Sequence, residues 1–206
     1  MKNKIIIYIL IIVLSGIAIF LGIKTIYELQ YVIETNRILS DDLEIEKKWL
    51  IDVEKIPYDL ESADISEIEQ TYICFSPEIR VRKINNGQMY TFAVKTGITE
   101  DGMIRNEIDE EITKEEYESM LKKQEGNTIN KTRYQLYDDG YLYAIDIFDG
   151  DLKGLAYLEV EFENQEDVEN FETPDWVKKD VTADLSYKNG HLARFGIPDT
   201  FEEYMK

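Results

Sequence analysis

Charged residues recur two positions apart along five short stretches of this chain, which is the period of a β-strand. The stretches are EIEKK (44–48), RVR (80–82), RNEID (105–109), KTR (131–133) and EVE (159–161). Because residues i and i+2 of a strand point to the same face, each stretch places its charges on one side and residues such as Ile45 and Val81 on the other. Several such strands carrying both signs predict a sheet that curls around a charged concave face, as expected of a site for a highly charged anion held with metal ions.

Strand patterns recur through most of the chain after Ser40. They cover about 43–50, 67–76, 79–85, 89–95, 103–112, 127–136, 141–148 and 155–162. The sequences Asn85-Asn86-Gly87 and Asp138-Asp139-Gly140 are typical of hairpin turns, so most neighbouring strands are expected to pair antiparallel. Closure of about eight such strands into a barrel would remove exposed edges and create an interior.

A few helices are expected beside the barrel, where they would cover its apolar outer face. Thr113 and Glu116 have the spacing of a capping box before a short amphipathic helix. Asn164 is a candidate N-cap for a second helix that reaches Phe171, and a third is expected near 200–205. The predicted fold class is therefore α+β, mainly β: an eight-stranded antiparallel closed barrel, or tunnel, with a few flanking helices.

Residues 5–23 are almost wholly apolar and lie between Lys4 and Lys24. A helix of this length spans a bilayer core of about 30 Å, and no small-residue cleavage site ends the segment. We therefore predict one uncleaved transmembrane helix before the barrel. The predicted organisation is a membrane anchor over 1–24, a helical stalk over 25–40 and the barrel domain over 41–206.

The amino-acid composition excludes some kinds of partner and metal site for this protein. The 206 residues carry a net charge of −19 at pH 7, so no nucleic-acid partner is expected, because a phosphate backbone attracts basic surfaces. A single cysteine, Cys74, and a single histidine, His191, exclude a metal site rich in thiolate or imidazole. The basic residues are few, and many of them lie in the alternating stretches.

The ordered stretches resemble a known family. The sequence EIEKKWLI at 44–51 resembles the ExExK signature of the CYTH superfamily, also called the triphosphate tunnel metalloenzymes. The resemblance spans about Glu44 to Ala193 and continues in order through IEQTYI (68–73), RVR, Lys95, RNEID, KTR, IDIFDG (145–150), KGLAYLEVEF (153–162) and DVTADLSYKN (180–189).

The resemblance implies an eight-stranded antiparallel tunnel that binds a triphosphate group through Arg and Lys and a divalent metal through Glu. Activities in the family include inorganic triphosphatase, thiamine triphosphatase, class IV adenylate cyclase, RNA triphosphatase and polyphosphate polymerase. The implied catalytic residues are those of the signature, Glu44, Glu46 and Lys48. Guanidinium and ammonium groups suit phosphate oxygens, so the candidate substrate-binding residues are Arg80, Arg82, Lys95, Arg105, Lys131 and Arg133.

Acidic residues of the same stretches are candidate ligands for Mg²⁺ or Mn²⁺, which prefer carboxylate oxygens. The candidates are Glu44, Glu46, Glu107, Asp109, Asp146, Glu159 and Glu161. Two roles are possible for Asp146, because its carboxylate could bind metal or orient a basic residue. The sequence does not show which Glu positions the attacking water.

The leading functional prediction is metal-dependent hydrolysis of inorganic triphosphate or another triphosphate compound. A class IV-type adenylate cyclase and a non-catalytic, membrane-anchored sensor of polyphosphate or nucleotide are the alternatives. Acids on separate strands favour catalysis, since simple anion capture needs only cations. The expected partners are a triphosphate or polyphosphate substrate and, through residues 5–23, the lipid bilayer. The membrane side of the domain and the oligomeric state stay open.

Overall fold

A computed structural model describes residues 43–97 and 104–206, and strands dominate both ranges. Their bounds are β1 (Leu43–Ile51), β2 (Asp64–Phe75), β3 (Glu78–Ile84), β4 (Met89–Gly97), β5 (Ile104–Glu111), β6 (Glu125–Asp138), β7 (Tyr141–Asp149), β8 (Ala156–Phe162) and β9 (Val177–Asp180). The strands are hydrogen-bonded in the order β5-β4-β3-β2-β6-β7-β8-β1-β9, and the pairings are antiparallel.

The first eight strands close on themselves. The beginning of β1 pairs with β5, with Glu44 opposite Arg105 and Ile45 opposite Ile104. This pairing joins the two ends of the sheet, so the predicted eight-stranded antiparallel barrel is confirmed. The rest of the same β1 edge pairs with β9, with Trp49 opposite Asp180. The short strand β9 was not predicted, because VKKD has no alternation of its own and forms a strand only against β1.

In the described part of the chain, four short α-helices flank the barrel: α1 (Lys114–Leu121), α2 (Gln165–Asn170), α3 (Asn189–Phe195) and α4 (Phe201–Tyr204). Thr113 and Glu116 make the reciprocal capping box that was predicted for α1, and the Asn164 side chain caps α2. Helix α3 was not predicted, because it begins with Asn-Gly, a poor helix former. Gly190 lies close to Glu78, and a Cβ there would lie 2.6 Å from its Oε1 atom, so a larger residue would require the Glu78 side chain to shift.

An outer apolar core lies between one side of the barrel and the segments that cover it. Trp49, which has the opposite parity from Lys48, is 1% exposed in a cluster that includes Leu158. Its ring lies 5.5 Å from that of Phe171, just after α2. Burial of each such side chain contributes about 1.5–3 kcal/mol to the stability of the fold. The outward-facing apolar residues of β1, β7 and β8 belong to this core.

A second apolar cluster fills one end of the barrel interior. It contains Leu50 and Tyr157, which share inward parity with Lys48 and Glu159 on the same strands, together with Leu192 from α3. We call this region the apolar end. Along β8, the inward residues leading away from it are Tyr157, Glu159 and Glu161, and they pass from fully buried to exposed. The lumen is therefore charged over only part of its length.

Within residues 43–97 and 104–206, no helix combines the length and apolarity needed to cross a bilayer. The predicted anchor at 5–23 and stalk at 25–40 lie outside the described residues. Both segments, and the domain boundaries drawn from them, therefore stay predictions.

Candidate active site

The structure brings all fourteen predicted site residues to one lumen, because the inward faces of seven barrel strands carry them. Their side chains link neighbouring strands, and strands separated by one other strand, through ion pairs. The contacts are Lys48–Glu159 at 2.8 Å, Lys95–Glu44 at 2.6 Å, Lys95–Glu107 at 2.8 Å, Arg80–Glu107 at 2.8 Å, Arg82–Asp109 at 2.9 Å, Arg133–Asp146 at 2.7 Å, and the close pairs Lys131–Asp146 and Arg133–Glu159.

Three further residues belong to this network and were not among the predicted site residues. Glu78 accepts a hydrogen bond from Arg105 at 2.7 Å, and Lys188 lies 3.3 Å from Glu46. Gln70, fully buried, accepts from the Nε atom of Arg82 at 3.1 Å. Glu78 could have been found from its i+2 spacing to Arg80. Lys188 precedes α3, outside any strand, so the alternation could not reveal it.

The charges within the described part of the lumen balance. Eight basic side chains face eight carboxylates, namely the fourteen predicted residues with Glu78 and Lys188 added. Buried charges persist only when they are paired. The pairing is strong at Glu159: although burial opposes ionisation, the charges of Lys48 and Arg133 hold the pKa of Glu159 well below its usual range.

Some hydrogen-bond donors remain without a partner. The Nε atoms of Arg80 and Arg105 and the Oγ1 atom of Thr91 are buried and make no hydrogen bond to any described residue. Buried polar atoms are usually satisfied, so orphaned donors beside the lumen cations favour a ligand that brings acceptor oxygens. Arg80 is only 5% exposed, so its Nε atom is the clearest example of an unsatisfied donor among the three.

Carboxylates concentrate where β1 and β8 pair, with Glu46 opposite Glu161. Glu161 forms no ion pair with a described residue. Glu161 is classed as exposed, but its carboxylate is partly desolvated. This desolvation raises the pKa of Glu161, and the negative charges of Glu44 and Glu46 raise it further. Hard oxygen donors that repel one another in this way fit a divalent cation, which would relieve the repulsion.

The present side-chain arrangement does not itself form a metal site. Across 43–97 and 104–206, no three His, Cys, Asp or Glu side chains are gathered closely enough to hold an ion. Glu44 contacts Lys95 and Glu46 contacts Lys188, so a cation would have to displace these lysines. Asp146 is fully buried and accepts hydrogen bonds from Lys131 and Arg133, which favours its alternative role of orienting basic residues. The metal assignments stay predictions.

One basic group of the lumen has an unusual pKa. Burial lowers the pKa of Lys131 to about 8, with the charge of Arg133 acting in the same direction and Asp146 opposing it.

Only the protonated amine of Lys131 attracts phosphate, so we expect kcat/KM for tripolyphosphate to fall as the pH rises through about 8. Arginine stays charged, so Lys131→Arg should remove this alkaline decline. Lys83→Arg, on the outward face of β3, is the control, and an unchanged profile in Lys131→Arg would contradict the assignment.

Comparison with known proteins places this geometry in a family. No protein-family model matches the chain. The inorganic triphosphatase of Nitrosomonas europaea is 35% identical over 119 residues, which are 57% of this chain and 76% of that protein. The inorganic triphosphatase of Acetivibrio thermocellus is 33% identical over 129 residues, which are 61% of this chain and 78% of that protein.

The fold is also similar to that of a solved structure of an inorganic triphosphatase. It superposes with a TM-score of 0.53 at 30% identity, covering 73% of this chain and 93% of that chain. The closed eight-stranded barrel, the motifs in order from Glu44 to Ala193 and these similarities together show that the chain belongs to the CYTH, or triphosphate tunnel, family.

Proposed function

We propose that this protein is a metal-dependent hydrolase that cleaves triphosphate in the lumen of its barrel. The observation that carries the proposal is the convergence of basic side chains from separate strands on one interior with orphaned donors at Arg80 and Arg105. The relatives named inorganic triphosphatase support the same reaction. Tripolyphosphate and water would give pyrophosphate and orthophosphate.

Binding would exchange partners within the lumen. Phosphate oxygens would take the place of carboxylates at Arg80, Arg82 and Arg133, whose guanidinium groups suit bidentate contact. Lys95 and Lys131 would add point charges. Because the apolar end closes one side of the interior, the substrate is confined to the charged part, where fewer water molecules compete for these cations.

Charge balance supports a metal requirement. The described lumen is neutral, so a triphosphate carrying about four to five negative charges would leave a large excess unless cations enter with it. We propose that Glu44 and Glu46 hold Mg²⁺ or Mn²⁺, with Glu159 and Glu161 as further candidates and Glu107 and Asp109 nearby. Such an ion, when bound, would offset negative charge on the phosphate oxygens.

Hydrolysis needs a water molecule in line with the terminal phosphorus and stabilisation of the leaving oxygen. When Glu44 and Glu46 hold the metal without Glu161, we assign the positioning of that water to Glu161, because it forms no ion pair with a described residue and its raised pKa lets it accept a proton. The water oxygen would bond to the terminal phosphorus as the bridging P–O bond breaks, and the proton of the water would pass to Glu161. The leaving pyrophosphate would then be stabilised by the basic groups of β3 and β6.

The function is tested by phosphate release from tripolyphosphate, with Mg²⁺ or Mn²⁺ and with a chelator. We expect metal-dependent release by the wild-type protein. Arg80→Gln should lower kcat/KM about 10- to 100-fold, mainly through KM, because a charge-assisted hydrogen bond contributes about 1.5–3 kcal/mol. Lys83→Gln is the matched control, on the opposite face of the same strand, where it pairs with Glu69. Full activity in Arg80→Gln would contradict the proposal, and binding without release would favour the sensor.

We also propose that residues 5–23 anchor the protein to a membrane as a single span. The support is the uninterrupted apolar length of this segment and its flanking lysines. Fractionation of the full chain tests the anchor, because extraction into carbonate buffer without detergent would contradict it.

A further inference from the structure

Thr91 places an uncharged hydroxyl inside the charged lumen. It lies on β4 with the same parity as Lys95, whose amine contacts the lumen carboxylates, so its side chain points inward. Thr91 is 8% exposed, and its Oγ1 atom makes no hydrogen bond to any described residue. Valine would fill nearly the same space without burying an unsatisfied polar atom. Packing alone therefore does not explain a threonine at this position.

The pairing of β3 with β4 brings Thr91 close to the side chain of Arg82. The two residues lie directly opposite each other, and the Cβ atoms of such pairs are about 4.5–5.5 Å apart. The guanidinium of Arg82 donates from Nη1 to Asp109 at 2.9 Å. Because Asp109 lies on β5, the Arg82 side chain crosses over β4 to reach it. A phosphate group held by this guanidinium would therefore also lie near the hydroxyl of Thr91.

Gln70 flanks Arg82 on the other side. It is opposite Arg82 in the pairing of β2 with β3, is fully buried, and accepts a hydrogen bond from the Nε atom of Arg82 at 3.1 Å. Its own amide nitrogen donates to the hydroxyl of Tyr72 at 3.1 Å, and Tyr72 belongs to the apolar end. Gln70 therefore links the guanidinium to the closed end of the barrel without neutralising it, as a carboxylate would.

The contact with Gln70 matters because Arg82 lies among other cations. Loss of water lowers the pKa of Arg82 to about 10, the charges of Arg80 and Arg133 act in the same direction, and Asp109 opposes them. The Asp109 side chain, which forms the ion pair with Arg82, is itself 36% exposed. A guanidinium repelled by two arginines and paired with an exposed carboxylate is free to turn towards solvent. The buried acceptor of Gln70 keeps it inside the lumen, where phosphate must bind.

We propose that Thr91 is a further substrate-binding residue, whose hydroxyl donates a hydrogen bond to the phosphate group held by Arg82, and that Gln70 positions Arg82 for this contact. The inference rests on the proposed function and adds an uncharged contact to its substrate site. A hydroxyl suits this place, because it binds a phosphate oxygen without adding a further cation beside Arg80, Arg82 and Arg133. The substrate would then satisfy the donor that the protein alone leaves unsatisfied.

Thr91→Val tests the hydroxyl in the full chain, and it should change affinity and stability in opposite ways. The affinity for the non-hydrolysable imido analogue of tripolyphosphate should fall about 10- to 100-fold, since a hydrogen bond to a charged group is lost. The midpoint of urea unfolding without ligand should stay the same or rise, since no unsatisfied hydroxyl is buried. Thr91→Ser keeps the hydroxyl and should keep most of the affinity. Thr96→Val, at an exposed position of opposite parity on the same strand, is the control.

A double-mutant cycle tests Gln70 separately. Gln70→Met should weaken binding of the analogue about tenfold in the wild-type background, because Arg82 loses the acceptor that positions it. In the Arg82→Lys background the same substitution should change the affinity less than about twofold, because lysine lacks the Nε–H group that Gln70 holds. An equal loss in both backgrounds would overturn the positioning role and leave Gln70 as a support of the fold.

Calorimetry with Mg²⁺ and the imido analogue measures these affinities without turnover, so it separates this inference from the proposed function. Full affinity in Thr91→Val, or an equal loss in Thr91→Ser, would overturn the assignment of Thr91 while hydrolysis stands. A lower urea midpoint in Thr91→Val would also overturn it, because the hydroxyl would then serve the fold. If the wild type binds the analogue but does not hydrolyse tripolyphosphate, the proposed function fails and the Thr91 comparison still decides. No binding by the wild type would overturn both.

Discussion

Glu44→Gln is expected to lower kcat for tripolyphosphate by at least about 100-fold, equivalent to about 2.7 kcal/mol of transition-state stabilisation. The substitution removes one of the carboxylates proposed to hold the metal. It also removes the charge that contacts Lys95 at 2.6 Å. The freed lysine can then contact phosphate, so binding of tripolyphosphate in the presence of a chelator should become tighter while turnover falls.

This opposed effect on binding and turnover distinguishes Glu44 from a residue that only supports the fold. Steady-state kinetics with varied Mg²⁺, together with calorimetry in a chelator, measure the two quantities. Glu54→Gln, at an exposed position in the turn after β1, is the matched control. Turnover by Glu44→Gln that equals that of the control would remove Glu44 from the proposed metal site.

Asp146→Asn is expected to lower the free energy of unfolding by about 3–5 kcal/mol, since one member of a buried ion-pair group is removed. The Asp146 side chain is fully buried, and it accepts hydrogen bonds from Lys131 and Arg133. Asparagine keeps the volume but removes the charge. Arg133 would keep Glu159 as a partner, whereas Lys131 would lose its only ion-pair partner among the described residues.

Urea unfolding of the two forms measures this loss. Asp149→Asn is the matched control, because Asp149 lies at the exposed end of the same strand, β7. We expect that variant to unfold as the wild type does. A loss below about 1 kcal/mol in Asp146→Asn, in the range of a surface ion pair, would mean that the lumen charges are well solvated and that their pairing does not hold the barrel together.

The barrel and its charged lining could be predicted from sequence because strand periodicity fixes which residues share a face. Glu44, Glu46 and Lys48 are two apart, so any strand there presents them together. Closure followed from the number of such strands. The same logic placed Trp49 on the opposite face, where it is buried in the outer core.

The periodicity could not reveal what depends on contacts distant in sequence. Lys188 reaches the lumen from a loop, and β9 forms only against β1. The apolar end has inward residues such as Leu50 and Tyr157 on the same strands as the charged ones. Their sequence predicts the face but not the change from charged to apolar along the barrel. The contacts of Arg194 with the rings of Phe75 and Phe195 likewise depend on how α3 packs.

A crystal structure with Mg²⁺ and a non-hydrolysable imido analogue of tripolyphosphate would show directly whether the substrate binds in the lumen. We predict that the analogue lies inside the barrel with its oxygens on Arg80, Arg82 and Arg133, and with metal beside Glu44 and Glu46. The carboxylates of Glu107 and Asp109 should have moved away from their arginines. An analogue bound only outside the barrel, with the lumen ion pairs intact, would contradict the account.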